Sequence, residues 1–256
     1  MRVMGSAPGL MRPPLYLTPP STDSIREHIR ADRLGAITSP GQGNLLEEGW
    51  TFCIDNGCFG GSYPGDKEYL ELLKKLHPLR EWCLFAVAPD VPGNHFRTWE
   101  RSRDMLPRIR DLGFPAAYAA QDLMDLDPWD IEDEYDVLFI AGSDEFKLSV
   151  AAANLAGYAI DLDKWVHMGR VNSFKRYQYA ATIGCDSVDG TTLTRGPDRN
   201  LRDVLSWRES IARQDPLFLP EVRDFFDHSC LSIPRQRLAP PPAAVEAVPF
   251  PQHALF

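Results

Sequence analysis

The sequence predicts a single (β/α)8-type barrel, and three observations predict it. Short apolar runs alternate with amphipathic segments along most of the chain, eight such runs can be placed, and the last six of them end in an acid, an amide or a glycine. Alternating strands and helices imply a mostly parallel sheet, either closed or doubly wound. The count of eight favours the closed form, and no G-x-G-x-x-G follows an early strand as a dinucleotide-binding open sheet would want. A length of 256 residues suits one such barrel.

The candidate strands are 15–18, 35–39, 51–57, 83–90, 116–122, 137–143, 165–171 and 185–191. Val137-Leu-Phe-Ile-Ala-Gly is continuously apolar, as a parallel strand covered on both faces should be. Helices are expected over 24–33, 66–77, 95–112, 144–157 and 172–183, with terminal helices over 201–213 and 219–228. The segment starting at Asp66 shows helix-type apolar spacing. We place the barrel over 1–232. Beyond it, 233–256 is a Pro/Ala-rich tail, either extended along the surface or disordered.

Composition narrows the function classes. No apolar run approaches the roughly 20 residues of a membrane-spanning helix, and the N-terminus lacks the apolar centre of a signal peptide, so a cytoplasmic location without membrane partners is expected. The five cysteines are odd in number, scattered and without CxxC spacing, which suits reduced thiols and offers no structural zinc site. A net charge of −9 argues against a generally basic nucleic-acid coat, although a local basic groove is compatible with 27 Lys and Arg.

The strand ends carry the chemistry. They read Ile54-Asp55-Asn56-Gly57, Val87-Ala88-Pro89-Asp90, Ala120-Gln121-Asp122, Ala141-Gly142-Ser143, His167-Met168-Gly169-Arg170 and Asp186-Ser187-Val188-Asp189-Gly190. In a parallel barrel all of these open onto one face, where active sites lie. Several carboxylates around one cleft suit reaction at a sugar anomeric carbon, one attacking C1′ and another moving the proton of the departing group. They also suit guanine, whose N1–H and 2-amino donors match the two oxygens of one Asp. Divalent-metal hydrolases use acidic barrel mouths as well, so ligation by Asp55, Asp90 and Asp189 is an alternative.

Asp55-Asn-Gly-Cys-Phe59 resembles the DSGGF motif of the tRNA-guanine transglycosylases, with two positions changed. Val166-His-Met-Gly-Arg170 and Gly184-Cys-Asp-Ser-Val-Asp-Gly-Thr-Thr-Leu-Thr-Arg195 resemble that family's Leu-Met-Gly and G-x-D-x-F-D-C-x-x-P-T-R segments, in the same order. The resemblance spans about 51–199. It implies a barrel enzyme with Asp189 as nucleophile, Asp55 as general acid/base and Asn56 beside it helping to hold the base. Asp90 would read the Watson–Crick edge, Gln121 and the Gly142 backbone the other edge, and Met168, next to Gly169, would pack on the ring. Arg195 would meet a phosphate or the sugar. No organic cofactor and no metal are implied.

Two departures bear on the substrate. The tRNA enzymes carry a C-terminal Cys/Cys/Cys/His zinc element, whereas Cys230 is the one cysteine beyond the barrel here, with His228 near it. The segment between Asp55 and Asp90 also looks shorter. Compact members resembling this chain replace guanine in DNA with a 7-deazaguanine. DNA and a free 7-deazaguanine base are therefore the expected partners, with tRNA or a nucleoside as the alternative acceptor and a catalytically dead nucleic-acid-binding barrel as another reading.

Plainer roles stand beside these. Asp55 and Asp90 suit helix N-caps or turns, and Met168 suits a core. Asp186 falls on the face opposite Asp189 by period-two alternation, where it would support the site or cap the next element. His167, flanking an inward Met168, is expected to face the helices. Arg170–Arg176 suits either a phosphate contact or a solvated helix start, and so does the cluster Arg195, Arg199 and Arg202. Trp82 and Trp165 are expected to pack at the bottom of the barrel.

Overall fold

The computed structural model describes residues 12–43, 45–126 and 131–214. All belong to one compact unit, Met1–Phe226. The helix expected over 219–228 and the tail 233–256 lie outside the described residues.

Eight parallel strands close into a barrel in sequence order: β1 (Leu15–Thr18), β2 (Gly35–Thr38), β3 (Phe52–Ile54), β4 (Cys83–Val87), β5 (Ala116–Ala120), β6 (Val137–Ile140), β7 (Trp165–Met168) and β8 (Ser187–Asp189). Closure pairs Leu15 with Ser187 and Leu17 with Asp189. All eight expected strands are present, and seven end earlier than the apolar runs suggest. Their last residues leave the ladder to form the mouth, so Asp55, Asp90, Gln121, Gly142 and Gly169 all stand just past a strand.

The helices are α1 (Asp23–Arg30), α2 (Asp66–Leu76), α3 (His95–Ser102), α4 (Met105–Asp111), α5 (Asp144–Lys147), α6 (Val150–Asp161), α7 (Phe174–Thr182) and α8 (Pro197–Ala212). Thr22, Asn94, Ser143, Ser149 and Ser173 cap α1, α3, α5, α6 and α7 through their side-chain oxygens. The helix expected over 95–112 is two helices. Pro107 has no N–H and would clash with the preceding turn, so it is accommodated only in the first turn of a new helix. The helix expected over 144–157 is likewise divided, where Ser149 donates to Phe146 O and accepts from Ala152 N. Among the described residues, the β2–β3 and β5–β6 connections carry no α-helix.

Alternation along each strand sorts the core into two layers. Ala36, Ile54, Tyr118, Ile140, Val166 and Met168 face the helices. Leu17, Cys53, Phe85, Val87, Ala119 and Val137 fill the barrel. β5 presents only alanines inward (Ala117 and Ala119), which complements the large rings of Phe85 and Phe139 on the two neighbouring strands. The lower barrel is thus closed by side chains, and the open space lies at the strand ends.

Candidate active site at the barrel mouth

The strand ends enclose a cavity of ≈ 390 Å³, within the range of about 300–1,000 Å³ usual for small-molecule sites. Asp55, Asn56, Asp90, Gln121, Gly142, Gly169 and Asp189 all line it. Seven of the nine expected site residues are therefore brought together.

On the β3–β5 wall, Asp90 accepts from Asn56 Nδ2 on one oxygen (2.9 Å) and from Gln121 Nε2 on the other (2.6 Å). Asn56 also donates to Ala88 O and accepts from Cys58 N, so all of its polar atoms are committed. Gln121 Oε1 accepts from Gly93 N (2.8 Å) and Gly142 N (3.1 Å). Two backbone donors on that oxygen fix which way the amide points, and its NH2 must face Asp90. The Gly142 amide, expected to meet a base directly, is thus used to orient Gln121. The turn carrying Asp90 is pinned from α3, where Thr98 Oγ1 bonds both N and O of Val91 and Ser102 Oγ donates to Pro89 O. Burial raises the Asp90 pKa, against the lowering effect of the Asn56 bond.

Asp55 is less supported. Its Oδ1 accepts from Gly57 N in a local turn, so the turn reading is correct as far as it goes. The carboxyl still opens on the cavity, and neither Asp55 nor Asp90 caps a helix. Burial, reinforced by the nearby charges of Asp189 and Asp90, pushes its pKa up to about 6 despite the Gly57 bond.

On the β7–β8 wall, Asp189 Oδ2 lies 2.9 Å from His167 Nε2, and Oδ1 accepts from Arg170 N at 3.2 Å. The two strand ends are stitched together by Val171 N to Asp189 O and Thr191 N to Asn172 Oδ1. Gly190 permits this approach, since a Cβ there would lie 2.5 Å from both Tyr16 Oη and Val171 O. Arg170 has φ +60, a left-handed conformation costing a non-glycine residue roughly 1 kcal/mol, and its amide faces Asp189. Its guanidinium donates to Gly142 O (2.6 Å) and lies 4.5 Å from the exposed Phe59 ring.

Three expectations are corrected here. Met168 does not face a base: it is 1% exposed in the layer between sheet and helices. β7 runs in the opposite parity, with Trp165, His167 and Gly169 inward, so His167 points into the barrel instead of at the helices. Arg195 is exposed and does not line the cavity, where Arg170 is the cation present. Arg176, in the same basic segment, pairs with Asp144 at 2.6 Å. Burial alone would raise the Asp144 pKa, but Arg176 and Lys147 hold it at about 2.

Asp186 lies on the opposite face from Asp189, as alternation requires, and bonds Val166 N at 2.9 Å. Asp122 ties β5 to β6 through the amide and hydroxyl of Ser143. Sequence reasoning missed His167 and Phe139 as lining or supporting groups, and offered Arg170 only within a basic segment suited to a phosphate contact or a solvated helix start. Trp165, expected at the bottom of the barrel, puts His167 inward by period-two counting, and that was the signal available for His167.

No family model matches this chain, and no curated protein matches it. Solved structures share its fold. A mandelate oxidase mutant holding a C4a-OH-FMN adduct aligns over 77% of this chain and 70% of its own, at 14% identity and a TM-score of 0.50. The tryptophan synthase complex from Pyrococcus furiosus aligns over 79% and 97%, at 12% identity and a TM-score of 0.47. A putative isomerase from Sinorhizobium meliloti aligns over 75% and 55%, at 15% identity and a TM-score of 0.48. At such identities the mandelate oxidase likeness is one of fold alone.

Proposed function

We propose that this chain is an enzyme that exchanges guanine for a 7-deazaguanine in DNA by double displacement through a glycosyl-aspartate. The observation that carries the reading is one cavity holding three carboxylates in three different environments. Asp189 is bonded by an imidazole and a backbone amide, Asp90 by two side-chain amides, and Asp55 is pushed up to about 6. Environments that separate carboxylates in this way assign them separate tasks.

In the first half-reaction Asp189 attacks C1′, the bond from C1′ to the base nitrogen breaks, and protonated Asp55 gives its proton to that nitrogen. In the second, Asp55 takes the proton from the incoming base. The base nitrogen attacks C1′, and the ester bond to Asp189 breaks to return the carboxylate. Asp90, its oxygens set by Asn56 and Gln121, is placed to accept the donor pair of a guanine-type edge. Phe139 and Ala119 supply the apolar part of the wall.

DNA is favoured by the resemblance to compact DNA-modifying members. The β3–β4 connection accords with it, carrying only α2 and the short 3-10 turn His77–Trp82. The metal-hydrolase reading has less support. Among the described residues no three His, Cys, Asp or Glu side chains are grouped to hold an ion.

The test offers labelled guanine and a labelled 7-deazaguanine to DNA, tRNA and nucleosides in parallel, with excess chelator. Label entering DNA alone supports the proposal. Label entering tRNA alone overturns the polymer, and label entering none of the three overturns base exchange.

A further inference from the structure

Below Asp189 the barrel interior holds polar side chains that the exchange reaction does not use. Trp165 Nε1 lies 2.8 Å from Ser187 Oγ, and Ser187 Oγ lies 2.9 Å from His167 Nδ1. His167 Nε2 then reaches Asp189 Oδ2 at 2.9 Å. Ser187 and His167 are 0% exposed, and the His167 ring sits between Phe85 (5.0 Å) and Phe139 (4.7 Å). In such surroundings every polar hydrogen needs an acceptor, and a fully satisfied chain holds one arrangement.

The direction of this chain follows from its first member. An indole N–H only donates, so Ser187 Oγ accepts from Trp165. The Ser187 hydroxyl hydrogen then goes to the nearest acceptor, His167 Nδ1. That leaves the imidazole hydrogen on Nε2, where it meets the carboxylate. The chain ends on Asp189, a residue lining the cavity. Its last bond, to Oδ2, orients the Asp189 carboxylate.

The geometry points to His167 as a positioning residue for Asp189, with its tautomer fixed by the one-way chain Trp165→Ser187→His167. Its catalytic consequence rests on Asp189 being the nucleophile; the chain itself does not. With Oδ2 held by the imidazole N–H and Oδ1 by the Arg170 amide, the carboxylate meets C1′ in one orientation. The same imidazole N–H then stabilises the carboxylate as it leaves in the second half-reaction.

The test joins a spectrum to a rate. Nitrogen-15 NMR of the histidine-labelled full chain, with His167→Gln to assign its signals, should show His167 protonated at Nε2 and bare at Nδ1. Ser187→Ala and Trp165→Phe should each mix the tautomers. They should also slow glycosyl-aspartate formation about 10-fold, with KM unchanged. Wild-type protein carrying the hydrogen on Nδ1, or on both nitrogens, overturns the proposal. So does a Ser187→Ala protein with wild-type rate and an unmixed tautomer. If the wild-type protein exchanges no base on any acceptor, the proposed function fails, while the tautomer pattern still decides the chain.

Discussion

On the β3–β5 wall of the cavity, Asp90 takes a side-chain amide on each oxygen. On the β7–β8 wall, Asp189 takes an imidazole on one oxygen and a backbone amide on the other. Asn56 and Gln121 do not titrate and are themselves tied to backbone groups. That wall is a rigid hydrogen-bonding template, suited to recognition. The opposite wall is built on strained backbone at Arg170 and ends in a carboxylate with an unshared face toward the cavity, which suits attack. Asp55 is opposed by the charges of both walls. The same residue type at three strand ends thus becomes three different groups, because burial and partners differ while chemistry does not.

The sharpest way to break this contrast is at the attacking wall. Asp189→Asn should remove the covalent adduct on intact-mass spectrometry and lower exchange about 10³–10⁴-fold. Asp186→Asn, three residues earlier on the outer face, should still form the adduct. Loss of the adduct only in the Asp186 variant would mean that the wrong aspartate has been assigned.

Asp55 gives the next largest effect and a pH signature. In the proposed exchange its carboxyl must be protonated to release the first base, so adduct formation should fall as pH rises through about 6. Asp55→Asn should slow the reaction about 10²–10³-fold and erase that inflection. In this variant stability should move opposite to rate. A raised carboxyl pKa means the folded state binds more protons than the unfolded state between about 4 and 6, so stability falls as pH rises across that window. Asp55→Asn should therefore gain on the order of 1–2 kcal/mol at pH 8 and nothing at pH 3, as read by thermal melts. A variant that is both slower and less stable at pH 8 would rule out a strained acid at this position.

How much of this was legible in the sequence follows the same division. The barrel was readable because eight apolar runs alternate with helical segments and no G-x-G-x-x-G marks an open sheet, and the mouth because Asp, Gln and Gly end those runs. Strand-end position put Asp55, Asp90, Gln121 and Asp189 at the mouth, but choosing them over Asp122 or Asp186 took the family resemblance. Parity within β7 was not fixed, since Trp165, Val166, His167 and Met168 are all plausible in a core and three residues of a short strand fit either face. Choosing Met168 as inward reversed His167 with it. Partners across the cavity were also invisible: nothing local in the sequence says that Gln121 Oε1 is claimed by the amides of Gly93 and Gly142. The break at Pro107 was readable from proline chemistry.

The template wall is probed by Gln121→Glu. The new carboxylate keeps an acceptor for the Gly93 and Gly142 amides but replaces a donor with a charge against Asp90. Losing a hydrogen bond between buried groups costs about 1–3 kcal/mol. The KM for the free base should rise about 10–100-fold, with the adduct-forming step much less affected. An effect confined to adduct formation would instead tie Gln121 to attack and dissolve the division between the walls.

The smallest effect separates two arginines. Arg195 was the cation expected at the substrate, yet it is exposed and off the cavity, while Arg170 lines it and bridges Gly142 O and the Phe59 ring. Arg170→Ala keeps the backbone amide that meets Asp189, and it adds no strain because alanine also carries a Cβ at that positive φ. It loses one hydrogen bond and one cation–π contact, each worth about 1 kcal/mol, so exchange should fall roughly 5–20-fold. Arg195→Ala should change it less than about 2-fold in low salt. If Arg195→Ala is the more damaging variant, the polymer must reach across the rim to it, and the functional surface extends beyond the two walls toward α8.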